Sequence, residues 1–202
     1  PTGSRYEGNY SNGKPDGFGI FVWPNGEIYE GEWKNGLKHG SGMWKGNKGE
    51  SYLGEWKFGK QEGNGVFVWR NGDKYEGEFK AFLKHGHGVE KFANGDYYTG
   101  HYRNGKPHGY GEYYWVNGSQ YKGFFKNGLR HGKGVWRSSA GPKADEYDGE
   151  WVNDKKCGFG VFKWISGNYY EGEFFDDARQ GYGVMHWIDG SYYKGHWERG
   201  IQ

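Results

Sequence analysis

A Tyr-x-Gly motif recurs along this chain at a nearly constant spacing. Neighbouring motifs start 23 residues apart, except for 26 residues between Tyr121 and Tyr147. The nine openings are Tyr6, Tyr29, Tyr52, Tyr75, Tyr98, Tyr121, Tyr147, Tyr170 and Tyr193. A fixed period of this length is typical of repeat proteins, in which each unit packs on its neighbours. Residues 1–202 are therefore predicted to form a single array of eight full repeats and a partial ninth that begins at Tyr193.

Each repeat has the pattern of two short strands. In the second repeat, Tyr29, Gly31 and Trp33 are spaced by two residues, which places them on one face of an extended strand. In each repeat a second alternating segment follows, such as Gly65–Trp69 in the third repeat. A turn signal closes most of these segments, such as Asn25-Gly26 in the first repeat. The pattern therefore predicts that each repeat consists of a strand, a glycine-rich loop, a second strand and an Asn-Gly turn. Helices are not expected, because glycine recurs too often for them.

The unusual composition predicts how such strands pack. The chain combines 41 glycines with 21% aromatic residues. Rings on one strand are expected to lie over the glycines of its neighbour and to replace an aliphatic core. Because a single hairpin is not stable in water, the hairpins must pair side by side. The predicted fold class is all-β, an elongated single-layer antiparallel sheet of stacked β-hairpin repeats that forms a twisted solenoid.

The motif resembles that of one known family, the MORN repeat. The segment Tyr29–Gly42 has the family signature, Tyr-x-Gly-x-aromatic followed by Gly-x-x-x-Gly-x-Gly, and the resemblance extends from Tyr6 to Gly200. It implies a single-sheet β-hairpin solenoid. Similar arrays occur in cytoskeletal scaffolds and in radial-spoke heads of cilia, and the closing segment Tyr193–Gly200 resembles the ciliary type. The resemblance therefore implies a cytoplasmic protein associated with the cytoskeleton or a cilium.

Charge and composition argue against several classes of protein. The formal net charge is only +2, with 26% charged residues, which disfavours nucleic acid as the main partner. No apolar run approaches the length of a transmembrane helix. A single cysteine, Cys157, provides no disulfide framework and fits a reducing cytosol.

No set of residues suggests catalysis or a metal site. The glutamates, such as Glu32 and Glu55, recur because the repeat recurs, and they alternate with the rings, so we expect them on the opposite, solvated face. A column of His39, His85, His108, His131 and Cys157 invites a zinc interpretation. Equivalent residues of adjacent repeats lie about 9–10 Å apart, too far for ligands of one ion. A site formed by His85 with His87, or by two chains that meet, is the alternative. We expect these histidines to bond the loop backbone, and we expect no enzyme activity, metal or cofactor.

Two sets of residues are candidates for binding. A row of rings suits a groove that grips a partner helix or extended tail. These rings are Trp23, Trp33, Trp56, Trp69, Phe92, Trp115, Trp164 and Trp187. A row of cations at the loop edge suits anionic lipid head groups, although it equally suits a soluble sheet surface. These cations are Lys38, Lys84, Arg130, Lys156 and Arg179.

Three functional hypotheses remain open at this point. The first is a non-catalytic scaffold that binds a protein partner and forms homodimers through its sheet edges. The second is a membrane or phosphoinositide-binding module. The third is the regulatory segment of a larger enzyme, since the chain begins inside a repeat turn and ends within the ninth repeat. We favour the scaffold.

One local deviation predicts a change in loop shape. Phe82, Asp154 and Asp177 stand where other repeats have a mid-loop glycine, such as Gly36. Glycine is the usual residue where a tight turn needs positive φ. We therefore expect different loops in the fourth, seventh and eighth repeats.

Overall fold

The computed structural model describes residues 3–202, which contain seventeen β-strands and no helix. The strands are β1 (Arg5–Ser11), β2 (Lys14–Val22), β3 (Ile28–Lys34), β4 (Leu37–Lys45), β5 (Ser51–Lys57), β6 (Lys60–Val68), β7 (Lys74–Lys80), β8 (Leu83–Lys91), β9 (Tyr97–Arg103), β10 (Lys106–Tyr114), β11 (Gln120–Lys126), β12 (Leu129–Arg137), β13 (Glu146–Val152), β14 (Lys155–Lys163), β15 (Tyr169–Phe175), β16 (Ala178–His186) and β17 (Tyr192–Trp197). They are consecutive hairpins of a 17-stranded sheet, which confirms the predicted all-β hairpin-repeat fold class.

The strands fall into two compact units. The first unit holds the described residues up to Asn94 together with Tyr102–Lys106, and the second holds Gly95–His101 together with Pro107–Gln202. In the first unit, β1 to β7 each pair antiparallel with the next strand in the sequence. In the second unit, β10 to β16 pair in the same way. Within each unit, neighbouring hairpin repeats therefore pack on one another.

The strand register brings glycines of neighbouring strands opposite one another. Gly31 of β3 pairs with Gly19 of β2 on one side and with Gly42 of β4 on the other. The ring of Tyr29 fills the space above Gly42, where a Cβ atom would lie 2.2 Å from Tyr29 Oη. The missing side chain therefore makes room for the ring, which confirms the predicted packing of rings over glycines.

The core is a ladder of edge-to-face rings. Tyr29 meets Trp33 at a centroid distance of 4.9 Å and an interplanar angle of 85°, and it meets Trp56 of the next repeat at 5.3 Å and 87°. The opening tyrosines with no exposed surface are Tyr29, Tyr52, Tyr75, Tyr98, Tyr121, Tyr147 and Tyr170. The edge-to-face arrangement places the positive edge of one ring on the negative face of the next.

Polar atoms of these buried rings bond the backbone. Tyr29 Oη donates to the Glu32 carbonyl oxygen at 2.8 Å, and the same bond recurs in the other repeats. Trp33 Nε1 donates to the Gly19 carbonyl oxygen at 3.0 Å, and Trp56 Nε1 donates to the Gly42 oxygen at 3.1 Å. Burial of the rings therefore leaves these donors satisfied. The tryptophan bonds also join these repeats to the previous ones.

The two turns of a repeat differ in backbone conformation. Asn35 and Gly36, which join β3 to β4, both have positive φ, at 51° and 80°, as in a two-residue type I′ turn. The Trp-x-Asn-Gly turn has positive φ only at its glycine, such as Gly26 at 92°. There the Gly26 N–H donates to the Trp23 carbonyl oxygen at 3.0 Å, and the Trp23 N–H donates to the Glu27 oxygen at 2.9 Å. The tightest turns are therefore in the glycine-rich loops.

The predicted change of loop shape in three repeats is wrong. Phe82, Asp154 and Asp177 have φ of 71°, 70° and 71°, close to the 80° of Gly36. The pairing of the flanking strands holds the two-residue turn, so the residue at this place adopts the glycine conformation at an energetic cost. Phe82 bears the largest cost, because bulky side chains strongly disfavour positive φ.

Candidate functional site

Large rings line one side of the sheet in each unit. We call the side that carries the opening tyrosines the aromatic face, and the other side the opposite face. The groove tryptophans follow the second strand of their repeats and are partly exposed: Trp23, Trp69, Trp115, Trp164 and Trp187. Four of them pack on a ring two residues earlier, as Trp69 does on Phe67 at a centroid distance of 4.6 Å, whereas Trp187 has Met185 at that place. Backbone bonds of the adjoining turn hold each of them in place.

The structure divides the predicted groove residues into two groups. Trp33 and Trp56 have only 7% and 4% of their surface exposed, because they belong to the buried ring ladder. They form the floor beneath the groove tryptophans. Phe92 is partly exposed and occupies the groove-tryptophan place of the fourth repeat. Of the predicted groove residues, the five groove tryptophans and Phe92 are therefore open to a partner.

The cations predicted to contact lipid lie on the aromatic face. Lys38 pairs across the hairpin with Trp33, and cross-strand partners share a face. Its Nζ lies 5.0 Å from the ring centroid of Trp23, 5.5 Å from Tyr29 and 4.8 Å from Trp56. Arg179 has the same surroundings, with its Cζ 5.8 Å from the Trp164 ring. A cation over ring faces is attracted by the ring quadrupole.

A groove tryptophan and a cation in the next repeat occur together. The pairs are Trp23 with Lys38, Trp69 with Lys84, Trp115 with Arg130 and Trp164 with Arg179. Where a repeat ends in Gly46 or Phe92 instead, the next repeat has Gln61 or Pro107 at the cation place. Lys156 follows the inserted loop and lies over Tyr147 and Phe162. Sequence reasoning missed this association, although the repeat alignment contains it.

Three of the five cations form ion pairs with carboxylates. Lys84 Nζ lies 2.9 and 2.7 Å from the two oxygens of Glu90, which also accepts a 2.7 Å hydrogen bond from Tyr102 Oη. The other two pairs are Arg130 Nε with Asp154 at 3.2 Å and Lys156 Nζ with Asp177 at 3.5 Å. These three positive charges are therefore balanced locally.

Lys38 and Arg179 differ from the other three cations. Among residues 3–202, neither forms an ion pair with a carboxylate within 4 Å. Arg179 Nη2 donates instead to the Gly200 carbonyl oxygen at 2.8 Å. Burial lowers the pKa of the Lys38 ammonium and of the Arg179 guanidinium, with a weaker opposing effect from Glu27 on Lys38 and from Tyr170 on Arg179. Each is therefore a partly desolvated charge without a counter-ion.

The histidine column serves the loops. The Nδ1 atoms of His39, His108 and His131 each accept the backbone N–H of the left-handed residue in the next repeat's loop. The distances are 3.5, 3.3 and 3.4 Å, to Phe58, Asn127 and Asn153. Asp16, Glu62 and Gln180 accept the equivalent bond in other repeats. The expectation that these histidines bond the loop backbone is therefore confirmed for His39, His108 and His131.

The recurring glutamates have a related structural role on the opposite face. Glu32 is exposed, and its carboxylate accepts the Ser41 backbone N–H at 2.5 Å. Glu173 accepts the Tyr182 N–H at 3.2 Å. Both glutamates accept a backbone N–H beside a register shift between paired strands, which lies between Gly31 and Trp33 and between Gly172 and Phe174. Across the described part of the chain, no three His, Cys, Asp or Glu residues are grouped so that they could hold a metal ion. In residues 3–202 there is also no helix suited to crossing a bilayer.

Two solved structures resemble this fold. The TCP10 domain of Danio rerio CPAP superposes with a TM-score of 0.51 at 13% identity, covering 97% of this chain and 91% of that chain. The Drosophila melanogaster SAS-4 (dCPAP) TCP domain, in complex with a proline-rich motif of Ana2 (dSTIL), has a TM-score of 0.43 at 13% identity, with coverage of 96% and 90%. The first similarity indicates a related fold. A comparison with curated proteins found no match.

A family model accounts for nearly the whole chain. The MORN-repeat model matches eight segments: 6–28, 29–51, 52–74, 75–97, 98–120, 121–142, 147–169 and 170–192. Every matched segment starts at one of the opening tyrosines predicted from the sequence period. The chain belongs to the MORN-repeat family.

Proposed function

We propose that this protein is a non-catalytic interaction scaffold whose partner, a helix or an extended tail, lies on the aromatic face. The observation that carries the proposal is the row of partly exposed groove tryptophans beside a buried ring ladder. The buried ladder forms the core of the sheet, and the groove tryptophans are not part of it. Their exposed surface is therefore free for a partner. Tryptophan held in a rigid setting is among the residues that most often dominate binding energy.

The spacing of the groove tryptophans matches that of an extended segment. Trp164 and Trp187 belong to adjacent repeats, and equivalent residues of adjacent repeats lie two strands, or about 9–10 Å, apart. An extended chain advances about 3.3 Å per residue, so three residues reach from one tryptophan to the next. A tail that crosses the strands with an apolar side chain at every third residue fits this surface.

Lipid binding receives less support from the same geometry. Three of the five cations predicted to contact lipid are balanced by Glu90, Asp154 and Asp177. The charged groups of all five lie over rings on the aromatic face. A flat bilayer surface gains most from freely exposed cations. We therefore propose protein binding as the main activity, in a cytoskeletal or ciliary assembly, as the MORN resemblance implies.

The test is a selection of random peptides of about 16 residues, long enough to span several repeats at about 3.3 Å per residue, against the full chain. Selected peptides are then titrated by fluorescence anisotropy. Trp164→Ala and Trp187→Ala are expected to weaken binding about tenfold or more, because each removes a rigid aromatic anchor. The matched control is Phe159→Ala, which removes an exposed ring on the opposite face. Equal losses for all three variants, or no selected peptide, would contradict the proposal.

Flotation with phosphoinositide-containing vesicles at physiological salt tests the lipid alternative. The chain is expected to remain with the buffer, since three of its five aromatic-face cations are already paired with carboxylates. Flotation that is abolished by Lys38→Glu together with Lys84→Glu would favour the membrane module instead. Light scattering on the same sample tests the separate prediction of homodimers through the sheet edges.

A further inference from the structure

The two cations without a carboxylate lie beside groove tryptophans. Lys38 Nζ is 5.0 Å from the Trp23 ring centroid, and Arg179 Cζ is 5.8 Å from the Trp164 ring centroid. Both cations and both tryptophans are partly exposed. An anionic group that arrives from solvent can therefore reach the cation at the same time as an apolar group reaches the ring. One such place occurs in each compact unit.

Glu27 is the carboxylate whose charge influences Lys38, but the two residues do not form an ion pair. Glu27 raises the pKa of Lys38, but it lies beyond 4 Å and its Oε1 accepts a hydrogen bond from Asn25 Nδ2 at 3.1 Å. Arg179 has a carbonyl oxygen and the Met185 sulfur as its polar neighbours. Partly desolvated cations gain from a carboxylate, since charge-assisted hydrogen bonds are stronger than neutral ones.

We propose that a segment bound on the aromatic face of either unit is acidic: its apolar side chains cover the groove tryptophans, and its carboxylates meet Lys38 in the first unit or Arg179 in the second. This inference rests on the proposed function, because it names the chemistry of the partner for the same surface. Carboxylate partners within the chain already balance Lys84, Arg130 and Lys156. These three cations therefore add little to the preference for an acidic segment. A basic segment is disfavoured, since like charges across an interface cost affinity.

The probe is a peptide of about 15 residues built from Leu-Glu-Glu triplets, which repeats its leucine at about 10 Å when extended. The matched probe replaces every Glu with Gln and keeps the leucine spacing. Titration against the full chain is expected to give affinity about tenfold or more higher for the acidic peptide than for the neutral one. The difference should shrink as salt rises from about 0.05 to about 0.3 M, because exposed charges are screened.

Two double variants that remove the same amount of charge show which cations cause the preference for the acidic peptide. Lys38→Gln with Arg179→Gln removes the two unpaired cations, and it is expected to reduce affinity for the acidic peptide about tenfold more than affinity for the neutral peptide. Lys80→Gln with Lys126→Gln removes two exposed cations from the opposite face and should change neither affinity. Lys38→Arg with Arg179→Lys keeps both charges and is expected to retain the preference, which separates charge from a packing defect.

The outcomes distinguish the inference from the proposed function. Equal binding of the two peptides, with both sensitive to Trp164→Ala, would overturn the acidic partner and leave the groove function standing. Equal effects of the two Gln double variants would also overturn it, since net charge rather than the site would then set the affinity. Binding of anionic vesicles that needs Lys38 and Arg179, without binding of the acidic peptide, would assign these cations to a membrane surface.

Discussion

Single glycines under tyrosine rings limit what the core tolerates. At Gly65 a Cβ atom would lie 2.4 Å from Cε2 of Tyr52, a ring with no exposed surface. Neither group has room to move, because the ring is wedged between Trp56 and Phe79 at centroid distances of 5.0 and 5.1 Å. The smallest residue therefore carries the tightest steric constraint in each repeat.

Gly65→Ala is expected to lower the free energy of unfolding by more than about 2 kcal/mol, because overpacking forces the ring from its site. Thermal unfolding followed by tryptophan fluorescence measures the change. The control is Gly141→Ala, in the loop after β12, where the nearest atom to a new Cβ is Ser139 Oγ at 3.7 Å. Equal losses at the two positions would show that the ring contact is not the constraint.

The opposite change is predicted at the strained loop residue. Phe82 has φ of 71° and an exposed side chain, so its ring adds strain without burial. Phe82→Gly is expected to stabilise the chain by about 1 kcal/mol, because glycine adopts this conformation without steric cost. Gly128→Phe, at the equivalent place in the sixth repeat, should destabilise by a similar amount. Chemical denaturation compares the variants, and no gain for Phe82→Gly would argue that its ring contributes a stabilising contact.

Between elements, contacts of two kinds join neighbouring repeats. Where the ladder ring is a tryptophan, as at Trp33, its Nε1 donates to a glycine carbonyl oxygen of the previous repeat. Loop side chains such as His39 accept a backbone N–H of the next repeat's loop. On the aromatic face, a cation adds a third link, since Lys38 lies between Trp23 of the first repeat and Trp56 of the third. These links act between neighbours, as expected for a repeat protein.

A double-mutant cycle measures the link through the cation. Trp23→Leu and Lys38→Met are expected to couple by about 0.5–1 kcal/mol in the free energy of unfolding, the range for cation–π pairs. Trp69→Leu with Lys38→Met is the control, because Lys38 packs on Trp23, Tyr29 and Trp56. The effects of Trp69→Leu and Lys38→Met on the free energy of unfolding should be additive within about 0.5 kcal/mol. Coupling of equal size in both cycles would mean that the rings respond as a whole.

For the whole molecule, the buried tyrosines make stability sensitive to alkaline pH. Burial raises the pKa of Tyr170 to about 12 and raises the pKa of Tyr29, Tyr52 and Tyr147 further. The native state thus keeps its phenolic protons above pH 10, where the unfolded chain loses them. The unfolded state then binds fewer protons, so stability falls as pH rises, and it is unaffected by tyrosine below about pH 9.

Each buried tyrosine is expected to remove about 1.4 kcal/mol of stability per pH unit between its unfolded and folded pKa values. Several act together, so unfolding between about pH 10 and pH 12 should be steep. Tyrosinate absorbance and tryptophan fluorescence, recorded on the same samples, should change together. Gradual tyrosine ionisation with unchanged tryptophan fluorescence would show that the rings are accessible in the native state.

Local chemistry determined the repeat, its two strands and its buried rings. The 23-residue period and the two-residue spacing of Tyr29, Gly31 and Trp33 were sufficient, because a strand alternates its side chains and a repeat copies its contacts. The same alternation puts Lys38 in phase with Gly42 and Trp44, so its place on the aromatic face was also contained in the sequence.

Only the tertiary structure decided which groups of this face are balanced and which are exposed. Asp154 reaches Arg130 from the next repeat, and Asp177 reaches Lys156 in the same way, whereas Lys38 and Arg179 have no such carboxylate among the described residues. Trp33 and Trp23 look alike in sequence, yet one is buried in the ladder and the other is partly exposed. These differences depend on where neighbouring strands and loops meet in space. The strand pattern of a single repeat contains no information about such contacts between repeats.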